Sequence, residues 1–272
     1  MLTAVASFVH ARANAGRWLL RIEDLDTPRC APGAVDSILQ TLDRHGLWWD
    51  AIAYQHERIS LYRHALERLV TDGHTFVCTC SRSQLHDADV YPGTCRDRRL
   101  PPSSTGSIRL RVPSRTIEFV DEIQGRYTQR LDVDVGDFVV LRRDGIFAYQ
   151  LAVVVDDAAQ RITRVVRGAD LLDNTPRQLL LFEMLGWSAP AYCHVPVLAD
   201  RAGQKLSKQT AATAVRIDAA SENLHATLDL LGQRPPPTLY RAKPPEILQW
   251  AIEHWDIDAV PHGAKHPHFV CV

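Results

Sequence analysis

Residues 17–29 read RWLLRIEDLDTPR, and this stretch decides the fold because an apolar run passes directly into acidic side chains. The pattern predicts a buried strand that ends by presenting Glu23, Asp24 and Asp26. In parallel α/β sheets, ligands bind at the carboxyl ends of the strands. We therefore expect a binding site where this strand ends.

A helix is predicted over the first sixteen residues, before that strand. Apolar residues recur there at helical spacing, at Leu2, Val5, Phe8 and Val9. Gly16 suits a left-handed cap at the end of this helix. Two further helices are predicted over residues 34–45 and about 60–72, each followed by a glycine. The alternation of helices with short buried strands predicts an α/β architecture with a parallel sheet.

The rest of the chain divides by its local pattern. Residues 77–113 are rich in cysteine, proline and polar turns, which predicts a small insertion. The segment FVVLRRDGIFAYQLAVVVDDA predicts strands around a hairpin turn at Asp144-Gly145, with Tyr149 within a strand. A helix in TPRQLLLFEMLGW and a strand in HVPVLAD are expected to follow. After Lys208 the chain is predicted to be helical to its end, interrupted by RPPP at 234–237.

Composition limits the classes of function. A chain of 272 residues with 46% hydrophobic content can bury a large core. The net charge of −1 gives no overall attraction to nucleic acid, so an RNA contact would depend on local patches. No apolar stretch approaches the ~20 residues of a membrane span, and the start lacks a signal-peptide pattern. We expect a cytoplasmic protein whose six cysteines are free, metal-bound or catalytic.

Residues 203–210, GQKLSKQT, place Lys205 and Lys208 in a glycine-containing loop. Ammonium groups on long side chains suit a triphosphate, because they can follow negative charge as it develops. The alternative is an ordinary solvated loop.

Cys78, Cys80 and Cys95 lie within the insertion at a spacing that allows tetrahedral zinc binding if a fourth ligand is available. His74 or His86 is the general choice for that ligand. Three unlinked thiols are the alternative, but a small insertion with little apolar content needs a metal more than a large domain does.

Arginines provide two further candidates. Arg167 follows a strand-like stretch in ITRVVRGADLL, where its guanidinium could bind a carboxylate or phosphate, and Tyr149 could face the same cleft. Taken singly, a surface salt-bridge arginine and a core tyrosine are the more common roles for such residues, but their combination with the acidic residues of the opening stretch favours a shared site. The basic cluster at 96–99, with Arg109 and Arg111, could bind a phosphate backbone or form a solvated face.

The order of these segments, RIEDLD, CTC with YPGTC, FAYQLAVVVDDA, ITRVVRGADLLDNTPRQ, HVPVL and KLSK, resembles the class I glutamyl-tRNA synthetase catalytic domain over residues 2–215. The resemblance is strongest to the short paralogues, the glutamyl-Q tRNA(Asp) synthetases. It implies an α/β, Rossmann-type nucleotide-binding fold with a small zinc-type insertion and a helical C-terminal region. The implied parts are residues 1–76, the insertion 77–113, the second catalytic half 114–210 and the C-terminal region 211–272.

The resemblance also implies a role for each candidate residue. Glu23 pairs with the α-ammonium of L-glutamate, and Tyr149 and Arg167 hold the substrate, with Arg167 on its side-chain carboxylate. Lys205 and Lys208 bind ATP, and Lys208 is the catalytic lysine on the phosphates. The implied zinc ligands are Cys78, Cys80, Tyr91 and Cys95, with His86 a bystander.

The implied reaction is ATP- and Mg²⁺-dependent activation of glutamate to glutamyl-adenylate, followed by transfer to queuosine in the anticodon loop of tRNA(Asp). Little covalent chemistry is asked of the protein, so the carboxylates are binding groups rather than bases. No membrane and no protein partner is implied. After KLSK the remaining residues are too few for a full anticodon-binding domain, which separates the chain from an ordinary glutamyl-tRNA synthetase.

One departure from the family pattern concerns the start of the chain. The family begins with a strand and a segment like R-F-A-P-S-P-T-G-x-L-H-x-G, the HIGH-type motif, and this sequence has neither. We expect that Met1 is a misplaced start, so that upstream translation encodes this segment. The alternatives are a truncated, catalytically impaired protein that binds tRNA or glutamate, and a fragment of a glutamyl-tRNA synthetase.

Overall fold

The computed structural model describes residues 1–26, 30–81, 83–85, 90–98, 100–101, 104–199 and 215–263, together with the backbone of 265–266. Its helices are α1 (Leu2–Ala13), α2 (Ala34–Arg44), α3 (Ile59–Thr71), α4 (Leu131–Asp134), α5 (Tyr149–Ala159), α6 (Thr175–Met184), α7 (Ala220–Leu230) and α8 (Pro244–Glu253). Its strands are β1 (Leu19–Ile22), β2 (Ala51–Tyr54), β3 (Thr75–Cys78), β4 (Ser107–Leu110), β5 (Thr116–Asp121), β6 (Gly125–Arg130), β7 (Val139–Leu141), β8 (Arg164–Gly168), β9 (Ala191–Val195), β10 (Val197–Leu198) and β11 (Lys265–His266). Short 3₁₀-helices lie at Gln55–Arg58, Ser83–Leu85, Ala169–Asn174, Ile217–Ala219 and Pro237–Arg241.

Two parallel strand pairs form the centre of the fold. β1 pairs with β2 from Leu19 opposite Ala51, and β8 pairs with β9 from Arg164 opposite Ala191. Each pair is connected through a helix, α2 in the first case and α6 in the second, as parallel strands require. The predicted α/β architecture with parallel strands is confirmed.

Antiparallel pairing accounts for much of the remaining strand structure. β4 lies between β3 and β7 in a three-stranded antiparallel sheet, and β5 and β6 form a hairpin from Thr116–Arg130 to Asp121–Gly125. The sequence interpretation did not identify this hairpin. The alternation of exposed and buried residues in TIEFVD, with Gly125 at φ 76° in the turn, was the available signal.

The predicted strands of residues 138–158 are largely wrong. Only β7 and a single bridge between Leu141 and Phe147 are extended, and the hairpin turn expected at Gly145 does lie between them. The following apolar run is helix α5, so Tyr149 is the first residue of a helix and does not lie within a strand. Residues 150–157 are all buried, and a helix buried on every side has no amphipathic period to distinguish it from a buried strand.

The ends of the predicted helices agree with the structure, with one correction. α2 and α3 fall within one residue of their predicted bounds, and α1 ends three residues before its predicted end. Gly46 and Gly73 end the second and third helices with φ of 72° and 75°. Gly16 does not have positive φ. Ala15 does, at 51°, because the chain turns one residue earlier and the Gly16 amide bonds to the Ala11 carbonyl at 2.8 Å.

The C-terminal part is helical in α7 and α8, as predicted, but not throughout. β11 pairs in parallel with β10, with Val197 opposite Lys265, because the free edge of β10 offers backbone groups that an extended segment can satisfy. Packing fixes the position of the two helices: buried side chains of α1, α7 and α8, including Phe8, Leu228 and Ile247, share one apolar core. Among the described residues, no helix is long and apolar enough to cross a membrane.

A second core lies around α3, α5 and α6, and a charged group is buried within it. The Asp156 carboxylate has no solvent exposure and accepts hydrogen bonds from Gln55 Nε2 at 2.9 Å, Arg58 Nε at 2.5 Å and the Tyr62 hydroxyl at 2.9 Å. Three donors compensate the desolvation of this carboxylate, and they hold α5, whose first residue is Tyr149, against α3.

Candidate active site

A cleft of about 840 Å³ lies between the parallel pair β1–β2 and the parallel pair β8–β9. Its walls come from β1 and β8, with α1 and α5 above and below, and Glu23, Tyr149 and Arg167 all line it. Glu23 lies more than a hundred positions before Tyr149 and Arg167 along the chain, and the fold brings all three to one cavity. The structure therefore places them together, while their roles remain predictions.

Glu23 lies immediately after β1, at the position predicted from the opening stretch. Its carboxylate is 3.5 Å from the Arg21 Nε, and its side chain is 40% exposed. Partial burial in the cleft raises the pKa of Glu23 by desolvation, and the Arg21 guanidinium opposes that shift. A carboxylate with one cationic neighbour and remaining exposure can still accept a ligand ammonium.

Arg21 is also held from the other side of the cleft. Its Nη1 donates hydrogen bonds to Asp157 Oδ1 on α5 at 2.8 Å and to Gln160 Oε1, directly after α5, at 3.0 Å. Burial raises the pKa of Asp157, and Arg21 counteracts this. Arg21 thus ties the strand that carries Glu23 to the helix that carries Tyr149.

Tyr149 begins α5, and burial raises the pKa of its hydroxyl while Arg167 opposes the shift. A neutral phenol at this position can donate or accept a hydrogen bond. Its place at a helix terminus fixes its backbone, because the helix behind it is buried along its length.

Arg167 lies on β8 and is only 9% exposed. Its Nε donates to His194 Nε2 at 2.9 Å and its Nη2 to Thr175 Oγ1 at 2.8 Å, and its guanidinium lies 5.2 Å from the centre of the Tyr192 ring. Nη1 forms no hydrogen bond within the described residues. The guanidinium is therefore held along one edge, and its remaining edge is available to an anion in the cleft.

A second polar layer lies behind Arg167. His194 Nδ1 is 2.6 Å from Asp121 Oδ2, and the Asp121 Oδ1 accepts hydrogen bonds from the backbone amides of Ile123, Gln124 and His194 at 2.8–3.1 Å. His194 lies in the HVPVL segment but was given no role from sequence, and Asp121 was not singled out. The end of β5 and the end of β9 meet only in the folded chain, so no spacing along the sequence could have joined them.

The other two acids of the opening stretch do not enter the cleft. Asp24 accepts hydrogen bonds from the His56 amide at 3.0 Å and from its Nδ1 at 2.5 Å, and Asp26 pairs with Arg142 at 2.7 Å. These contacts connect the loop after β1 to neighbouring segments.

Lys205 and Lys208 lie outside the described residues, as does His86. The prediction that the two lysines bind ATP phosphates stays a prediction.

The three predicted cysteine ligands converge. The sulfur atoms of Cys78, Cys80 and Cys95 lie within 4.8 Å of one another, and Cys80 Sγ is 3.5 Å from Cys95 Sγ. The Tyr91 hydroxyl is 3.4 Å from Cys78 Sγ and 2.8 Å from the Cys95 amide nitrogen. Sulfur atoms around a tetrahedral zinc ion lie roughly 3.7 Å apart, so these four side chains suit such an ion.

Two of these thiols have an acidity that suits a metal, whereas burial raises the pKa of the third, Cys80. Burial acts to raise the pKa of Cys95, but hydrogen bonds from Thr79 and Tyr91 outweigh it and lower that pKa to about 6. The pKa of Cys78 is also lowered: burial acts to raise it, but contact with the Tyr91 hydroxyl outweighs that effect. Thiolates are the form that binds metal.

Three arginines of the basic cluster at 96–99, 109 and 111 make contacts within the protein. Arg96 forms an ion pair with Asp137, Arg109 stacks 4.0 Å from the centre of the Tyr91 ring, and Arg111 donates to the Thr75 carbonyl at 3.2 Å. These contacts of Arg96, Arg109 and Arg111 support the cysteine loop and its sheet, whereas Arg98 is exposed and Arg99 lies outside the described residues.

The family described as "tRNA synthetases class I (E and Q), catalytic domain" matches residues 2–91 and 96–232. The fold is also that of a solved structure, a glutamate tRNA ligase from Elizabethkingia meningosepticum in complex with its amino acid, with a TM-score of 0.81 at 23% identity. This likeness covers 97% of the present chain but only 63% of the solved one. A glutamate-tRNA synthetase from Elizabethkingia anophelis gives a TM-score of 0.80.

Sequence relatives are more similar. A glutamyl-Q tRNA(Asp) synthetase from Methylococcus capsulatus is 53% identical over 268 residues, which cover 97% of this chain and 89% of the relative. A protein of the same name from Pseudomonas aeruginosa (strain PAO1) is 49% identical and covers 98% and 92% of the two chains. The chain therefore belongs to the class I tRNA synthetase family that contains the glutamate and glutamine enzymes.

Proposed function

We propose that this protein activates L-glutamate with ATP and transfers it to queuosine of tRNA(Asp), in line with its relatives, which are named glutamyl-Q tRNA(Asp) synthetase. The observation that carries the proposal is the cleft, where Glu23, Tyr149 and Arg167 meet at the ends of β1 and β8. Family membership supplies the reaction class, and the cleft supplies groups suited to glutamate in particular.

Two charges of opposite sign suit the two ends of the amino acid. Glu23 is the group for the α-ammonium, and Arg167 is the group for the side-chain carboxylate, with Tyr149 between them as a neutral hydrogen-bond partner. A substrate with a neutral amide in place of the carboxylate would leave the buried Arg167 edge without an anion, which disfavours glutamine.

In the first step the α-carboxylate oxygen of glutamate forms a bond to the α-phosphorus of ATP, and the bond to pyrophosphate breaks. Lys208, with Lys205, is the group we assign to the phosphates, and Mg²⁺ supplies further charge neutralisation when ATP is bound. In the second step queuosine takes the glutamyl group and AMP leaves. The residues of the cleft bind and orient, and none is asked to act as a base.

The four ligands Cys78, Cys80, Tyr91 and Cys95 would hold Zn²⁺ as a structural ion. Such an ion would fix the loop between β3 and β4, whose described residues Cys80, Tyr91 and Cys95 pack with Phe76 and Cys78 of β3 in a small apolar cluster. We place the protein in the cytoplasm because its tRNA substrate is there.

The test is glutamate-dependent exchange of pyrophosphate into ATP, followed by transfer of labelled glutamate to RNA. We expect exchange with glutamate but not with glutamine, and labelling of tRNA(Asp) that contains queuosine. The same tRNA without queuosine is the control and is expected to stay unlabelled. Charging of tRNA(Glu) instead would identify the chain as part of an ordinary glutamyl-tRNA synthetase, and absent exchange from folded protein would indicate a binding protein.

A further inference from the structure

Arg167 is supported by a chain of buried polar groups that the reaction itself does not use. His194 and Thr175 have no solvent exposure and Asp121 has 1%. They come from three different elements, with Asp121 ending β5, Thr175 beginning α6 and His194 on β9. Burial of several polar groups behind one arginine destabilises the fold unless the groups form hydrogen bonds with one another. These groups do form such hydrogen bonds.

The contacts define which nitrogen of His194 carries the proton. Asp121 is held as a carboxylate, because three backbone amides donate to its Oδ1 and its Oδ2 faces His194 Nδ1 at 2.6 Å. A carboxylate only accepts hydrogen bonds, so Nδ1 carries the proton. The Nε2 lone pair is then free to accept the hydrogen bond from Arg167 Nε at 2.9 Å.

The other neutral tautomer of His194, with its proton on Nε2, could not accept the hydrogen bond from Arg167. A guanidinium has five donors and no acceptor, so a proton on His194 Nε2 would face the Arg167 Nε–H donor to donor. Arg167 would have to rotate away, and its Nη2 would leave Thr175 Oγ1, which it reaches at 2.8 Å. Orientation of the guanidinium in the cleft therefore depends on the tautomer that Asp121 selects.

We infer that Asp121 and His194 are positioning residues for Arg167, selecting the imidazole tautomer that fixes the guanidinium for the side-chain carboxylate of the substrate. The inference rests on the proposed function, because it takes Arg167 as the group that binds that carboxylate. The chain of contacts is Asp121 Oδ2, His194 Nδ1, His194 Nε2 and Arg167 Nε, and neither positioning residue is among those that line the cleft.

Two substitutions of His194 separate positioning from packing. In His194→Gln the amide oxygen reaches the place of Nε2, so an acceptor for Arg167 is kept. In His194→Asn the shorter side chain reaches only the place of Nδ1, so contact with Asp121 is kept and the acceptor for Arg167 is lost. A purely structural role predicts similar effects of both or a larger effect of His194→Gln.

A third substitution reverses the tautomer with little change of shape. In Asp121→Asn the side-chain oxygen can still accept from the three backbone amides, while the amide nitrogen donates to His194 Nδ1. The imidazole proton is then placed on Nε2, against Arg167. His45→Asn is the control, because His45 is also fully buried but bonds to Thr41 and Asn223 away from the cleft.

The experiment measures KM for glutamate and KM for ATP in pyrophosphate exchange, with thermal unfolding of each variant alongside. We expect KM for glutamate to rise at least about tenfold in His194→Asn and Asp121→Asn, to rise less than about threefold in His194→Gln, and to stay unchanged in His45→Asn. KM for ATP should not change. The inference is overturned if His194→Asn and Asp121→Asn keep the parent KM for glutamate, or if KM for both substrates rises together.

Arg167→Ala distinguishes failure of this inference from failure of the proposed function. Loss of glutamate-dependent exchange in Arg167→Ala, with parent behaviour in His194→Asn, rejects the positioning roles alone. Unchanged exchange in Arg167→Ala, or none in the parent protein, rejects both the proposed function and the inference.

Discussion

Arg21 Nη1 lies 2.8 Å from Asp157 Oδ1, and this ion pair joins the strand that carries Glu23 to the helix that begins at Tyr149. The pair is largely buried, with 18% and 6% side-chain exposure. Breaking a buried pair from one side leaves an uncompensated charge, which costs more than the pair contributes.

Arg21→Met is therefore expected to lower the free energy of unfolding by about 3–5 kcal/mol at neutral pH. Without Arg21, the pKa of Asp157 rises further above its unfolded value. Stability should then recover as the pH falls through that raised pKa, because the protonated carboxyl needs no partner, and should be lowest at high pH. Urea unfolding at several pH values measures this dependence of the free energy of unfolding on pH.

Arg68→Met, which removes an exposed arginine 3.9 Å from Asp72, is the control and should cost roughly 0–1 kcal/mol. A pH-independent loss in Arg21→Met would contradict the explanation.

Glu23→Gln is expected to reduce kcat/KM for glutamate in pyrophosphate exchange by about 10- to 100-fold, because a charge-assisted hydrogen bond to the α-ammonium is lost. Protein stability should change little, since this side chain is 40% exposed. Glu57→Gln, at an exposed position outside the cleft, is the matched control and should leave exchange unchanged. If Glu23→Gln keeps the activity of the parent protein, Glu23 does not bind the α-ammonium of glutamate.

The same residue gives a prediction for pH. Because the pKa of Glu23 is raised in the cleft, glutamate binding should weaken as the pH falls through that pKa and the carboxylate becomes neutral. Profiles of kcat/KM against pH should show an acid limb in the parent protein that is flattened in Glu23→Gln. An identical acid limb in both proteins would assign the titration to another group.

Cys95→Ser is expected to reduce bound zinc from about one ion per chain to near zero, because one of the thiolates of a tetrahedral site is lost. Elemental analysis of protein purified from zinc-containing medium measures this. Removal of zinc from the parent protein by a chelator should lower its unfolding temperature, and addition of zinc should restore it. Cys30→Ser is the control, since Cys30 is an exposed free thiol apart from the cluster. A parent protein without zinc, or Cys95→Ser with full zinc, would refute the site.

Tyr62→Phe is expected to lower the free energy of unfolding by about 1.5–3 kcal/mol, because the buried Asp156 carboxylate loses one of its donors while the ring is kept. Urea denaturation is the measurement. Tyr240→Phe removes the hydroxyl of a tyrosine that is 47% exposed and should cost less than about 0.5 kcal/mol. Equal effects of the two substitutions would mean that the hydroxyl bond to Asp156 contributes nothing.

The sequence predicts the candidate site better than it predicts the elements that carry it. An apolar run that ends in a charged residue predicts the end of a strand, and Glu23 directly follows β1 while Arg167 lies near the end of β8. The predicted burial of the first strand is met only in part, because Ile22 alone is buried in β1. Tyr149 was assigned to the cleft but to the wrong element, because α5 is buried on all sides and its apolar run has no helical period.

Long-range pairing explains what was missed. The β10–β11 pair joins residues far apart in sequence, and its second strand is too short to leave a pattern. Asp121 and His194 are individually ordinary residues, and only the approach of β5 to β9 gives them a common role. Such contacts are properties of tertiary structure, which local propensity does not encode.

The hydrogen-bonded chain Asp121–His194–Arg167 also has a consequence for how the protein folds. Its members lie 27 and 73 residues apart along the sequence, so their bonds close long loops and form late compared with local helices and hairpins. Arg167 has its final orientation only once the β5–β6 hairpin has docked beside β9. A chain in which this hairpin has not docked would therefore present no ordered arginine to glutamate, and affinity for the amino acid would be acquired only with that docking.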